Sequence, residues 1–439
     1  MQTGASLSPG RTPQLAGWPH RNRLRMKVLF VHQNFPGQYI HILRAMARQG
    51  GHQLVALGIH LDANTPLPDG VRFLRYRIPR GNPPGLHAWL LDTDSKLIRA
   101  EACARAAHKL QQQGFHPDLI CAHPGWGESL LLQDIWPDVP ILHYQEFFYQ
   151  AHGFDVDFDP EFQDTQSWEQ RARIRMKNLY LHSALQSSRW NVTPTDFQRS
   201  SFPAQWQEHF SVIHDGIDTD RTAPAAAAVK RLPDGTELSP GEPIVTFVNR
   251  RLEPYRGGHT FLRAIPELQR LMPDARVVVI GGTSGVSYGR KPEQGEWKDV
   301  LLAEIHGRYD PSRLHFSGSV AYPDFLALLQ LSACHVYLTY PFVLSWSLLE
   351  AMSMARPIVG SDTAPVREVI RDGHNGLLVD FFRPDALAAA IAELLRQRPR
   401  AEALGQAARD TVLRHYSLND CLPRHLALMQ LVANGDLGR

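Results

Sequence analysis

Short apolar runs that end at a turn and feed a helix constrain this chain more than any other feature. Lys27–Val31 is such a run, leading through His32-Gln-Asn-Phe-Pro-Gly37-Gln38 into a helix to about Gln49. Runs at Gln53–Leu57, Arg72–Tyr76, Pro117–Ala122, Pro140–Tyr144 and Ser211–His214 repeat the theme. Runs of this length, set between helices, read as strands buried on both faces of a parallel sheet. Arg221–Pro243 interrupts them with Ala, Pro and Gly and an Asp234-Gly235 turn signal, the mark of a linker with a small hairpin. The pattern then restarts at Ile244–Val248, Ala275–Ile280, Arg313–Phe316, Val336–Thr339 and Pro357–Val359. The expected fold class is α/β, with two Rossmann-like, doubly wound parallel-sheet domains facing a cleft. The expected limits are 26–222, a linker at 223–242, 243–414, and a helix in 415–439 that crosses back to the first domain.

The length of 439 residues suits two domains of roughly 200 each. Hydrophobic content of 43% and charge of 21% exclude a disordered chain, and a net charge of +2 gives no nucleic-acid footprint. Cys103, Cys121, Cys334 and Cys421 lie too far apart for a zinc or redox motif and read as buried thiols in a reducing cytoplasm. No apolar run approaches the ~18 residues needed to span a bilayer, so any membrane contact is expected to be peripheral. Residues 1–25 read as a disordered extension in which Arg21, Arg23 and Arg25 suit anionic lipid.

The stretch Tyr340–Gly376 concentrates the chemistry. A strand breaks at Pro341, a loop with two serines follows, and a helix carries Glu350. A helix start beside a strand end favours anions. Ser347 and Glu350 fit the S-x-x-E capping box. Ligands of open α/β sheets sit at the carboxyl ends of strands, which places Gly37, His123, Glu128 and Glu146 on one rim. Asp155–Phe162 (DVDFDPEF) reads as a solvated acidic loop, and Thr165 to about Ser187 as one long helix.

LLEAMSMARPIVGSDTAPVREVIRDGHNGLLV resembles the donor-binding signature of glycosyltransferase family 4, and Arg250–Gly257 resembles that family's G-R-L-x-x-x-K-G loop. The HQNFPGQY, HPGWGE and FDPEF segments look like a distinct bacterial subgroup. The resemblance spans Met26 to the C-terminus. It implies the GT-B fold, a nucleoside-diphosphate sugar as donor, and retention of anomeric configuration. It implies Arg251 and Arg256 on the diphosphate, with Arg250 as the neighbour able to exchange roles with Arg251. It further implies backbone contacts to the donor at Val343, Leu344, Ser345, Trp346 and Ser347, with Glu350 on the ribose. His123 is a cleft-facing candidate for the sugar or phosphate, and Gly37 for close backbone approach to the phosphate. Where the family carries a sugar-binding Glu, this chain has Phe342, which cannot accept the sugar's hydrogen bonds.

Glu128 and Glu146 are candidates to orient or deprotonate an acceptor hydroxyl. Tyr288, Ser319 and Val320 are weak base-pocket candidates. No Walker A, strand-linked G-x-G-x-x-G or HExxH motif occurs. Asp155-Val-Asp157 is a poorer basis for metal chemistry than the Arg251/Arg256 pair, so no metal and no cofactor are expected. The expected activity is a metal-independent hexosyl transfer to a hydroxyl of a glycan, a lipid-linked sugar or another acceptor, in the cytoplasm or peripherally at the inner face of the membrane. Alternatives are a catalytically degenerate scaffolding subunit and a nucleotide-sugar epimerase.

Overall fold

The computed structural model describes residues 25–63, 65–162 and 167–437; the expectations for Arg21 and Arg23 lie outside them. The first sheet contains β1 (Lys27–Val31), β2 (Gln53–Gly58), β3 (Val71–Arg75), β4 (Leu119–Ala122), β5 (Ile141–Tyr144), β6 (Trp190–Thr193) and β7 (Phe210–Val212). Its order is β3-β2-β1-β4-β5-β6-β7, all parallel. The second sheet contains β8 (Ile244–Arg251), β9 (Arg276–Gly282), β10 (Leu314–Gly318), β11 (Cys334–Tyr337), β12 (Ile358–Ser361) and β13 (Leu377–Val379). Its order is β10-β9-β8-β11-β12-β13, again parallel. In both sheets the chain starts in the middle and reverses direction of growth after the third strand. That creates a crevice at the strand ends between β1 and β4, and another between β8 and β11.

The central strands are apolar throughout because helices cover both their faces. Val28–Val31 and Val245 are fully buried. Helix α1 (Ile40–Gln49) packs Ile42, Leu43 and Met46 into the first core. The same core receives Cys421, Leu428, Met429 and Val432 from a C-terminal helix (Leu418–Ala433), which crosses back through the Ile217–Ser417 bridge. The hairpin Lys230–Arg231/Glu237–Leu238 is not a free linker. Its Leu232 and Leu238 pack on Ile244, Val278 and Ile280 of the second domain.

Two local expectations are corrected. The expected single helix after residue 165 is two, α2 (Trp168–Lys177) and α3 (Leu179–Ser187). Asn178 divides them: its side chain accepts from the Tyr149 N–H at 3.1 Å and donates to the Tyr149 carbonyl at 2.7 Å. These two bonds to the backbone of a distant segment hold the chain where the two helices meet.

Nor is DVDFDPEF a solvated loop. It is a strap laid across the second domain, with Asp155 and Asp159 each only 3% exposed. Asp155 accepts from the Tyr255 hydroxyl. Asp159 accepts from the Tyr340 hydroxyl at 2.6 Å and lies 3.2 Å from His259. Glu161 pairs with Arg263 at 2.7 Å, and Phe158 packs among Tyr340, Phe381 and Phe382. The aromatic residues between the carboxylates supply the apolar contact, and each buried carboxylate finds a donor, as burial requires.

Candidate functional site

The domains enclose a cleft cavity of about 320 Å³ at their strand ends. On the second-domain side, β8 changes register against β9 between Val248 and Arg251. Such an irregularity re-aims side chains, and Val248, Asn249 and Arg250 all face the cleft. Arg251 does not line it. Its Nη1 lies only 2.2 Å from the place a Cβ would take on Gly282, so it covers the end of β9. Of the two adjacent arginines it is Arg250 that lines the cleft.

Arg256 lines the cleft from the turn Pro254–Arg256. Gly257 ends that turn at φ +73°, and a Cβ there would lie 2.3 Å from Leu338 Cβ, so only glycine lets the turn seat against the end of β11. Arg256 Nη1 donates to Thr339 Oγ1 at 2.9 Å and to the Val343 carbonyl at 2.8 Å. A guanidinium fixed on one edge keeps its remaining donors aimed outward. Glu253, on the same loop, is fully buried and accepts from the Ser287 and Tyr288 amides.

Helix α4 (Trp346–Ser353) begins at the cleft, with Val343, Leu344, Ser345 and Trp346 along it. The expected Ser347–Glu350 capping box is not formed. Ser345 is the cap, its Oγ accepting from the Ser347 N–H at 3.3 Å, while its own N–H donates to the Tyr337 hydroxyl at 2.8 Å. Two of the amides expected to meet phosphate are thus engaged within the protein. Ser347 is buried and off the cleft lining. Glu350 also lies off the lining, 8% exposed, and accepts from the Tyr322 hydroxyl at 2.6 Å. Burial raises its pKa, and Tyr322 and Arg221 oppose the rise. Tyr322 follows Ser319 and Val320, so Glu350 touches the base-pocket candidates' loop; neither Ser319 nor Val320 reaches the cleft.

Phe342 is 3% exposed and sits in an aromatic plug. Its ring centroid lies 4.8 Å from Phe147, 5.0 Å from Tyr288 and 5.2 Å from Tyr255. The place of the family's carboxylate is thus a contact between domains. Tyr288 both closes this plug and lines the cleft, with the Arg256 guanidinium 5.3 Å from its ring centroid.

On the first-domain side Glu146 reaches the cleft, its side chain 44% exposed. Its carboxylate nevertheless stands among protein groups from both walls of the cleft. Enclosure raises its pKa, while Arg256 and then Arg250 oppose the rise. His123, expected to face the cleft, is 1% exposed and off the lining. Its Nδ1 accepts from the Gly125 N–H at 3.1 Å, and its Nε2, with no hydrogen-bond partner among the described residues, stands 3.9 Å from Glu146 Oε2. Burial and the neighbouring His32 and His143 hold the imidazole well below its usual pKa, hence neutral.

Glu128 is fully buried and accepts from the Tyr76 hydroxyl at 2.7 Å. Burial raises its pKa, and the rim reading fails for it because its strand-end turn folds inward. Gly37 is likewise off the lining. At φ +51° it presses on the His32 imidazole, 2.5 Å from where a Cβ would stand. Asp155-Val-Asp157 is engaged elsewhere, Asp155 by Tyr255 and Asp157 by the Gly153 N–H at 2.9 Å.

Asp215, just beyond the strand expected at Ser211–His214, lies on the cleft. Its Oδ2 accepts from the Tyr144 hydroxyl at 3.1 Å and from the Trp346 indole N–H at 2.8 Å, joining the first domain to the start of α4. Burial pushes its pKa up to about 7, against the two donated hydrogen bonds. Applying the strand-end rule to Ser211–His214 would have found it.

Two facing Rossmann-like domains, with cations and a helix start on one wall and carboxylates on the other, define the GT-B class of architecture. The profile described as "Glycosyl transferase family 4 group" matches residues 50–222, and "Glycosyl transferases group 1" matches 230–411. A D-inositol 3-phosphate glycosyltransferase from Rhodococcus opacus is 30% identical over 387 residues, covering 84% of this chain and 80% of that protein. The chain belongs to the family 4 glycosyltransferases. A GDP-mannose-dependent alpha-(1-6)-phosphatidylinositol monomannoside mannosyltransferase from Mycobacterium tuberculosis is 29% identical over 227 residues, or 50% of this chain and 55% of that protein's length. Among solved structures, sucrose-phosphate synthase from Thermosynechococcus elongatus shares the fold with a TM-score of 0.67 at 18% identity, covering 93% of this chain and 99% of that one. Anabaena HepE in complex with UDP-glucose does so with a TM-score of 0.63 at 16% identity, covering 92% and 100%.

Proposed function

We propose that this chain is a retaining, metal-independent glycosyltransferase. It moves a hexose from a nucleoside-diphosphate sugar to a hydroxyl of a glycan, a lipid-linked sugar or another acceptor. The observation that carries the reading is the pairing of Arg250 and Arg256 on one wall of the cleft with Glu146 on the other. As the anomeric C–O bond breaks, negative charge gathers on the leaving diphosphate. Preorganised guanidinium groups stabilise that charge without a metal ion.

In the front-face course the acceptor oxygen bonds to the anomeric carbon on the side the diphosphate leaves. The acceptor proton passes to a phosphate oxygen, which balances the step without a dedicated base. Glu146, held near Arg256, is suited to accept a hydrogen bond from the incoming hydroxyl and orient it. Closure of the cleft limits donor hydrolysis by excluding water. Relatives named for GDP-mannose and a neighbour bound to UDP-glucose support a nucleotide-sugar donor and leave its base to experiment.

Among the described residues no helix is long and apolar enough to cross a membrane. We place the protein in the cytoplasm or peripherally on the inner membrane face, a reading supported by the nucleotide-sugar donor and by four buried, unpaired cysteines. The test is to incubate purified protein with UDP-, GDP-, ADP- and dTDP-sugars, with and without EDTA, and measure released nucleotide and product anomer. Release that survives EDTA, with an α-linked product from an α-linked donor, is expected. Absence of both turnover and thermal shift with every nucleotide overturns the enzyme reading.

A further inference from the structure

The supports of Arg256 lead, one bond further out, to the strap. Its guanidinium is held by Thr339 Oγ1 and the Val343 carbonyl, which bracket Tyr340 in the chain. The Tyr340 N–H donates to the Tyr255 carbonyl at 3.1 Å, and the two rings pack with centroids 4.8 Å apart. Tyr255 is the residue before Arg256 in the turn Pro254–Arg256. The arginine's turn and its anchoring loop are thus joined through the Tyr255–Tyr340 pair.

Both hydroxyls of that pair go to carboxylates of the first domain. Tyr255 donates to Asp155 Oδ2 and Tyr340 to Asp159 Oδ2, the latter at 2.6 Å. The same Asp159 oxygen stands 3.2 Å from His259 Nε2, in the first turn of the helix Gly258–Leu271 that continues from the Arg256 turn. One turn further along that helix, Arg263 pairs with Glu161 at 2.7 Å. The strap therefore grips the residue before Arg256, the loop that anchors it and the helix after it. It belongs to the segment that leaves β5, which first puts Glu146 on the cleft. Joining two domains does not call for buried carboxylates, since apolar side chains would do so with less desolvation. Hydrogen bonds add direction to contact, and direction is what a guanidinium must keep to meet an anion.

We propose that Asp155 and Asp159 are positioning residues for donor binding. Through the two tyrosine hydroxyls they hold the Arg256 guanidinium in the attitude that meets the diphosphate. A displacement of about 1 Å at such a group is enough to forfeit much of its effect. The inference rests on the glycosyltransferase reading and deepens it, making the cationic wall of the cleft depend on a segment of the opposite domain.

The experiment is a double-mutant cycle read by calorimetric titration of the full chain with UDP, GDP, ADP and dTDP and with the corresponding nucleosides, below each variant's unfolding midpoint. Tyr340→Phe and Tyr255→Phe keep the rings and remove the hydroxyls. Each should weaken binding of the preferred nucleoside diphosphate about five- to tenfold, with nucleoside affinity within twofold of the parent. In an Arg256→Ala background either substitution should change nucleoside diphosphate affinity less than twofold, because the group it positions is gone. Asp159→Ala should match Tyr340→Phe. Asp159→Asn, whose amide oxygen still accepts from the Tyr340 hydroxyl, should stay within about threefold of the parent. Parallel losses for nucleoside and nucleoside diphosphate, an undiminished loss in the Arg256→Ala background, or no loss in any variant overturns the proposal while nucleotide binding persists. A chain that binds no nucleoside diphosphate overturns the glycosyltransferase reading and this one with it.

Discussion

At the strand ends of the first sheet, His123 and Glu128 turn inward and are almost fully buried, while Gln38, Glu146, Thr195, Gln198, His214 and Asp215 line the cleft. At the strand ends of the second, Arg250, Arg256 and the start of α4 all line it. One topological rule thus yields two rims of different character, the first presenting carboxylates and neutral polar groups and the second guanidinium groups and a helix start. The difference lies in the backbone immediately after each strand. Beyond β4, His123-Pro-Gly-Trp folds into a tight turn whose imidazole caps the Gly125 amide, which uses the side chain locally. Beyond β8, the register shift and the Gly257 turn extend the chain over the cleft. Strand ends locate a site, and the turn after each strand decides which side chains enter it.

The sharpest way to break this contrast is Arg256→Ala. Nucleoside diphosphate affinity should fall at least a hundredfold, about 3–4 kcal/mol, while nucleoside affinity changes little. Equal losses in a titration of the two ligands would show that the loop does not meet the phosphates.

Phe342→Ala, at the plug where the rims touch, should cost about 3–5 kcal/mol of stability in chemical denaturation, the range for deleting a buried phenyl ring. A loss below about 1 kcal/mol would mean that the plug does not join the domains.

Asp215 predicts a pH dependence. Its carboxyl titrates near 7 in the folded chain, against about 3.9 unfolded, so between those values the folded state holds the extra proton. Its contribution is therefore most favourable at low pH, falls as pH rises from about 4 to 7, and is flat above. Asp215→Asn keeps an acceptor for Tyr144 and Trp346 without the charge. The variant should be more stable than the parent at pH 8, with the gap, a few kcal/mol at most, clearly smaller at pH 5 and closing below about pH 4. A constant gap in denaturation curves at the two pH values would reject the shift.

The smallest effect belongs to the inward rim. Glu128→Gln should leave nucleotide release within twofold of the parent, whereas Glu146→Gln should slow transfer about tenfold. Comparable losses in the two would mean that the rims do not differ.

The α/β architecture and the donor loop were legible because buried parallel strands and turn glycines leave local signals. Side-chain direction was less so. Arg250 and Arg251 are adjacent, and alternation alone cannot tell which enters the cleft when the strand shifts register between them. The strap was misread because its carboxylates look solvated until their partners appear, and Tyr255, Tyr340 and His259 are distant in sequence. Glu350 matched a capping spacing, yet its hydroxyl partner Tyr322 comes from the start of the helix Tyr322–Leu331 that follows β10. Asp215 left only a turn signal, since its meaning depends on an indole from the other domain.

The helix Leu418–Ala433 has a consequence for biosynthesis. It supplies Leu428, Met429 and Val432 to the core that α1 and β1 begin. On the ribosome the first sheet therefore emerges with one flank bare and waits while the whole second domain is translated. The nascent chain is thus exposed to chaperones longest in the half that was made first, and a fragment ending before Ser417 should be recovered in inclusion bodies rather than in the supernatant.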